Sequence, residues 1–166
     1  MPFTPFHLGP ALVLGLPLRR NMHVPTFVIA NIILDVEPFL VLLLGLKYPL
    51  HGYLHTFVGA IVTGVALGYI MYTANRHLRF LWEKLFPEPV AGLDLKAFMV
   101  ASVSGTLLHV LMDSPLYYDI KPLYPLLINP LYNPSLLSLE YRVCIFTGII
   151  GLTYYLYLMT KNPHLE

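Results

Sequence analysis

Five apolar runs, at residues 8–18, 24–46, 51–72, 95–114 and 139–160, occupy most of this 166-residue chain. A bilayer core of about 30 Å takes about 20 helical residues per crossing, and backbone groups in hydrocarbon must be satisfied within the segment. Runs of this length therefore point to membrane-crossing helices. Only 11% of the residues are charged, 57% are hydrophobic and the mean hydropathy is +0.66, whereas a soluble domain carries about a quarter charged residues. The expectation is an all-α integral membrane protein, a compact bundle of four to five transmembrane helices forming a single domain over residues 1–166. A net charge of +1 without a basic patch gives no footprint for nucleic acid. Cys144, the only cysteine, lies in an apolar run and reads as a buried small hydrophobe.

Local signals set the boundaries. Thr4-Pro5 offers an N-cap and a proline at the first helical position, which predicts a short first helix over 5–18. This stretch lacks the positive leading region of a signal peptide and has Arg19 and Arg20 on its far side, so it is expected to be retained. Pro38 interrupts the second run just after Asp35 and Glu37, predicting a kink there. Gly59, Thr63, Gly64 and Gly68 form a close-packing stripe in the third run. Its continuation over 75–86 carries Arg76, Arg79, Glu83 and Lys84 and is expected to emerge into water. A proline- and tyrosine-rich loop, Pro115 to Ser138, joins the last two runs, and its tyrosines fit an interfacial belt. The closing Leu165-Glu166 resembles a cloning remnant and is left out of the functional reading.

If all five segments cross, one face collects seven basic residues, Arg19, Arg20, Arg76, Arg79, Lys84, Lys96 and Lys161, and the other collects three, Lys47, Lys121 and Arg142. The positive-inside rule then predicts an external N-terminus and a cytoplasmic C-terminus. In that topology His7, His51, His55, His109 and Asp113 share the outer face, and Asp35 and Glu37 approach it. The loop after Asp113 leaves from the same face, placed to act as a lid.

His109 and Asp113 are four residues apart in a dry run, which puts them on one helix face about 6 Å apart along the axis. His51 and His55 repeat the spacing. Asp35 and Glu37 each cost roughly 2.5 to 3.5 kcal/mol at mid-membrane if charged and unpartnered. Imidazole nitrogen and carboxylate oxygen together are the ligands of zinc, manganese or iron, and sites fed by several helices resemble di-metal sites in helical bundles. The candidate set is His7, Asp35, Glu37, His51, His55, His109 and Asp113, enough for one or two divalent ions, with zinc favoured. The plainer reading makes each of them an interhelical hydrogen-bond partner. Asn31, one turn before Asp35, is either a supporting group or packing. His23 and His77 fall on the opposite face and His164 is terminal, so they stay outside the set.

The order of motifs resembles a known family. Met-Pro-Phe-Thr-Pro-Phe-His7-Leu-Gly, Leu-Asp35-Val-Glu-Pro, His51-Gly-Tyr-Leu-His55-Thr and His109-Val-Leu-Met-Asp113-Ser are similar to the ordered motifs of the membrane-bound metal-dependent hydrolases, the YdjM-like group also described as LexA-regulated or LexA-binding inner-membrane hydrolases. The resemblance covers most of the chain and implies metal-binding roles for His7, Asp35, His55, His109 and Asp113. Bacterial relatives carry Asp-Ile-Asp and His-Arg-Gly-Phe-Thr-His, whereas here Glu37 replaces the second aspartate and His51 stands where the arginine would be.

The chemistry expected of such a site is metal-activated water attacking an ester or phosphoester of a lipid or amphiphile, with Asp35 or Glu37 as general base. Lys121 and Arg142, on the site's side, are placed to bind an anionic head group or simply to set topology. Two other classes use the same residues: a divalent-metal transporter or sensor, and a scaffold whose polar groups only hydrogen-bond between helices.

Overall fold

The computed structural model describes residues 5–86 and 92–161, so the Thr4 cap, His164 and Leu165-Glu166 lie outside the described residues. Six α-helical segments follow in order: α1 (Leu8–Gly15), α2 (Val24–Ala30), α3 (Val36–Leu44), α4 (Phe57–Leu85), α5 (Leu95–Asp113) and α6 (Leu137–Met159). Short 3-10 turns precede α1, α3, α4 and α6, and no strand occurs among the described residues. Four stretches are long and apolar enough to cross a membrane: Val24–Leu44, Phe57–Leu85, Leu95–Asp113 and Pro134–Met159. The protein is an all-helical membrane bundle with an apolar exterior and polar groups set within its apolar core. His23, Asn31, His55, Ser102, Thr106 and His109 are fully buried, while Leu43, Val62, Ile70, Phe146 and Ile149 face outward.

The predicted kink exists, just upstream of Pro38. α2 stops at Ala30, and the chain passes through Asn31 and a 3-10 turn, Ile33–Asp35, before α3 begins. Proline has no N–H, and its ring clashes with the carbonyl four residues back, here that of Leu34, so a helix cannot run through that turn. Pro38 instead occupies the first turn of α3, where a missing N–H costs nothing. The break therefore falls across residues 31–35 and turns Asp35 inward, 2% exposed.

α4 and α5 form the central antiparallel pair. The contact face of α4 is Ala60, Gly64, Gly68 and Met71, all buried. A Cβ on Gly64 would sit 2.8 Å from the Val103 Cα and the Thr106 Oγ1, so only glycine allows this approach. Thr106 Oγ1 donates across the seam to the Ala60 carbonyl at 2.8 Å. Of the predicted stripe, Thr63 is half-buried and Gly59 serves the turn entering α4, packed against the Tyr53 carbonyl. α4 runs unbroken to Leu85, and its distal end buries Trp82 while Arg76 and Arg79 are exposed.

α1 is shorter than predicted, and it lies parallel to α6. Phe6 meets Tyr141 edge to face, Gly9 lies against the Gly148 backbone, and Leu16 packs with Leu158. His7 therefore sits at the end of the bundle where α5 finishes, and Leu16 at the end where α6 finishes. Five passes between the two ends result, although α1 alone, at about 12 Å, is too short to cross.

Candidate metal centre

The site assembles where two chain interruptions meet the end of α5. Thr56 starts α4, accepting the Gly59 N–H at 2.9 Å, and this cap fixes the preceding 3-10 turn Tyr53–His55. The α2–α3 break supplies Asp35. α5 supplies His109 and, one turn later, Asp113. Asp35, His55, His109 and Asp113 each offer a donor atom, and these atoms all lie within 4.8 Å of one another. All four residues are buried, with exposures of 4% or less.

Both imidazoles are locked through one nitrogen and present the other. His109 Nδ1–H donates to the Asn31 carbonyl at 2.8 Å, an acceptor left available by the end of α2. His55 Nδ1–H donates to Glu37 Oε2 at 2.9 Å. Both Nε2 atoms then point into the cluster, 3.4 Å apart. They cannot both carry hydrogen at that separation. His109 Nε2 lies 3.3 Å from Asp113 Oδ2 and 3.6 Å from Asp35 Oδ1, and His55 Nε2 lies 4.0 Å from Asp113 Oδ2. A tetrahedral ion with bonds of about 2.0–2.1 Å needs ligand atoms about 3.3 Å apart, so the donor set, whose atoms lie within 4.8 Å of one another, could hold one such ion after closing by up to about 1.5 Å. Burial also pushes the His55 imidazole below its ordinary range, favouring the neutral form that a ligand requires.

The remaining candidates surround this core. His7 Nε2–H donates to Asp113 Oδ1 at 3.1 Å, and its ring lies 4.4 Å from that of His109. Its Nδ1 is buried with no hydrogen-bond partner among the described residues, leaving a lone pair at the edge of the cluster. Glu37 lies outside the four-donor group. Its carboxylate accepts from His55, from the Gly52 and Leu54 N–H groups at 2.9 and 3.2 Å, and from the Tyr48 hydroxyl at 3.2 Å. It thus fastens the 48–55 turn and orients His55, the arrangement by which outer carboxylates fix metal-binding histidines.

His51 also lies outside the four-donor group. Residues 51–56 are not α-helical, so its spacing of four from His55 does not place the two on one helix face. Its Nδ1–H and backbone N–H both donate to Asp119, at 3.0 Å. Burial opposes ionisation of Asp119, but the His51 hydrogen bonds hold its carboxyl below the usual range.

Asp119 belongs to the loop after α5, which docks over this end of the bundle. Ile120 is fully buried, the Pro122 carbonyl accepts the Phe57 N–H at 2.9 Å, and Asn129 Nδ2 donates to the Ser114 carbonyl at 2.8 Å. Tyr48, Tyr53, Tyr118 and Tyr124 line a cavity of about 480 Å³ under it, with His51 and Asp119 in the same wall. Lys121 donates to the Tyr118 carbonyl and lies over the Tyr118 ring, 4.9 Å from its centroid. A second, small cavity of about 20 Å³ borders the cluster itself, among His7, Asp113, Tyr117 and Glu140. That is room for about one water.

No known family, curated protein or solved structure matches this chain.

The functional reading therefore rests on the donor set. Two carboxylates and two imidazoles converge in a buried volume, and this site could hold a divalent ion. Asp119, which holds His51 beside this donor set, is a residue that the sequence did not single out. It lies in a loop with no periodicity, and its only signal was an acid within the segment following Asp113.

Proposed function

We propose that the protein is a membrane-embedded metal-dependent hydrolase of the YdjM-like kind, acting on an ester or phosphoester of a lipid or amphiphile. The observation that carries this reading is the pair of Nε2 atoms 3.4 Å apart, each set by an Nδ1 hydrogen bond, facing Asp35 and Asp113. The residues gathered there are those in the motifs that resemble the hydrolase family. Asp35, His55, His109 and Asp113 would hold a divalent ion, zinc in the first instance, which when bound would supply Lewis acidity toward the scissile group and toward water.

The chain's own groups do the rest. Asp35, at the break and 3.6 Å from His109 Nε2, is the carboxylate we assign both to the ion and to the proton of attacking water, since Glu37 is committed to His55. His7 holds the far oxygen of Asp113. Burial excludes bulk water, which strengthens each of these interactions. The basic-residue asymmetry favours placing this end of the bundle outside the cell.

The test is metal content by mass spectrometry on protein purified without chelator, with turnover of carboxylester and phosphodiester lipids. His109→Ala is expected to abolish both while leaving helicity intact. Metal-free protein would refute the reading, as would liposome flux of zinc or manganese without hydrolysis. Alanine variants that change stability alone would favour the scaffold instead.

A further inference from the structure

An apolar groove of about 400 Å³ runs along the wall between α1, α5 and α6, its sides formed by Pro10, Val13, Leu108, Met112, Leu139 and Val143. Its α5 and α6 sides belong to membrane-spanning segments, so it faces hydrocarbon. Glu140 is the one charged residue in its lining. Glu140 also borders the small cavity that contains His7 and Asp113. One side chain thus joins a hydrocarbon-facing groove to the edge of the metal centre. Glu140 lies in the first turn of α6, half-buried, at the end of the bundle where the metal centre lies.

The dimensions select the occupant. From Leu136 to Thr147 the groove follows α6 for about 16 Å at about 1.5 Å per residue. Its mean cross-section is then about 25 Å², against about 80 Å² for a helix of about 10 Å diameter. A single hydrocarbon chain fits and a partner helix does not. Polarity sets its direction, with the apolar end toward Thr147 and the polar end at Glu140.

Resting on the hydrolase reading above, we infer that this groove holds the acyl chain of an amphiphilic substrate and that Glu140 marks where its cleavable polar end lies, beside the small cavity of His7 and Asp113. The substrate is then an acyl lipid that enters sideways from the bilayer, and the groove limits the length of its chain.

Photolabelling with a phosphatidylglycerol bearing a diazirine at the tip of one acyl chain tests this without requiring turnover. The probe is carried at trace level in phosphatidylethanolamine vesicles containing the full chain. Cross-links are expected near Val13 and Thr147, in excess of those on the outward leucines 42–44 of α3 by about fivefold, equivalent to about 1 kcal/mol of preference. Val13→Trp and Met112→Trp plug the groove from different helices, and each is expected to remove the excess while metal content stays at the wild-type level. Hydrolysis of long-chain esters is expected to fall in both variants relative to short-chain esters. Equal labelling of groove and α3 face, or an excess that survives both plugs, overturns the inference even in an active enzyme. Groove labelling lost in the plugs, in a protein that hydrolyses nothing with any metal, supports the chain site and removes the hydrolase reading alone.

Discussion

Glu37→Gln isolates the contribution of a carboxylate that lies outside the four-donor group. Oε2 accepts from His55 Nδ1 and Gly52, and Oε1 accepts from Tyr48 and Leu54, so all four donors rely on the two equivalent oxygens of one charged group. Glutamine has one such oxygen. If it stays on His55, its amide nitrogen faces the Leu54 N–H, donor against donor. The link to His55 also falls from a charge-assisted hydrogen bond, worth about 1.5–3 kcal/mol, to a neutral one of about 0.5–1.5 kcal/mol. Losses of this size match the 10- to 100-fold, or about 1.4–2.7 kcal/mol, by which partners behind metal ligands alter affinity. Competition with a fluorescent zinc chelator in detergent is the assay. Glu37→Gln is expected to weaken zinc by 10- to 100-fold, and His55→Ala by more. If Glu37→Gln binds within twofold of wild type while His55→Ala does not bind, the carboxylate only fastens the turn and the argument from His55 orientation is wrong.

Gly64→Val should force α4 and α5 apart and destabilise the bundle by about 1–3 kcal/mol, measured as a lower midpoint of thermal unfolding in detergent. Stripping metal with a chelator should lower that midpoint reversibly, since ligand at 100 times its dissociation constant stabilises by about 2.7 kcal/mol. Asp119→Asn should loosen the loop over the site, seen as faster amide exchange across residues 115–133 with the helices unchanged. Burial lowers the pKa of His23 to about 4, so the folded state resists protonation that the unfolded chain accepts near 6.5. The stability this gives is complete above about pH 6.5 and is lost as pH falls toward 4, by up to about 3 kcal/mol. Metal-free His23→Phe should therefore show a shallower loss over that window than metal-free wild type.

The helices were legible because hydrophobicity decides them: runs of about 20 apolar residues have few other options. His109 and Asp113 were legible for a similarly local reason, since spacing on a continuous helix fixes their common face. His51 and His55 share that spacing but stand in a turn, so the rule had nothing to act on. The role of Glu37 depends on donors from residues 48–55, brought to it by tertiary folding that no local pattern encodes. The break beside Asp35 was legible because a proline acts on the carbonyl four residues before it, which puts the interruption just upstream of Pro38. Asp119 could not be assigned until the loop was seen folded back on His51.

The parallel placement of α1 against α6 bears on the membrane itself. Arg19 caps the Leu16 carbonyl and hydrogen-bonds the Tyr154 hydroxyl, at 3.2 Å each, and Arg20 beside it is exposed. Tyr154 precedes the end of α6 by five residues, about 7.5 Å of helix. A guanidinium group held at that level favours headgroups and water there, so a leaflet thinned on the α1 flank, with α6 keeping its full span, is the expected response of a bilayer. The protein is thereby matched to two thicknesses at once. It should partition toward thin bilayers, or toward boundaries between thin and thick ones.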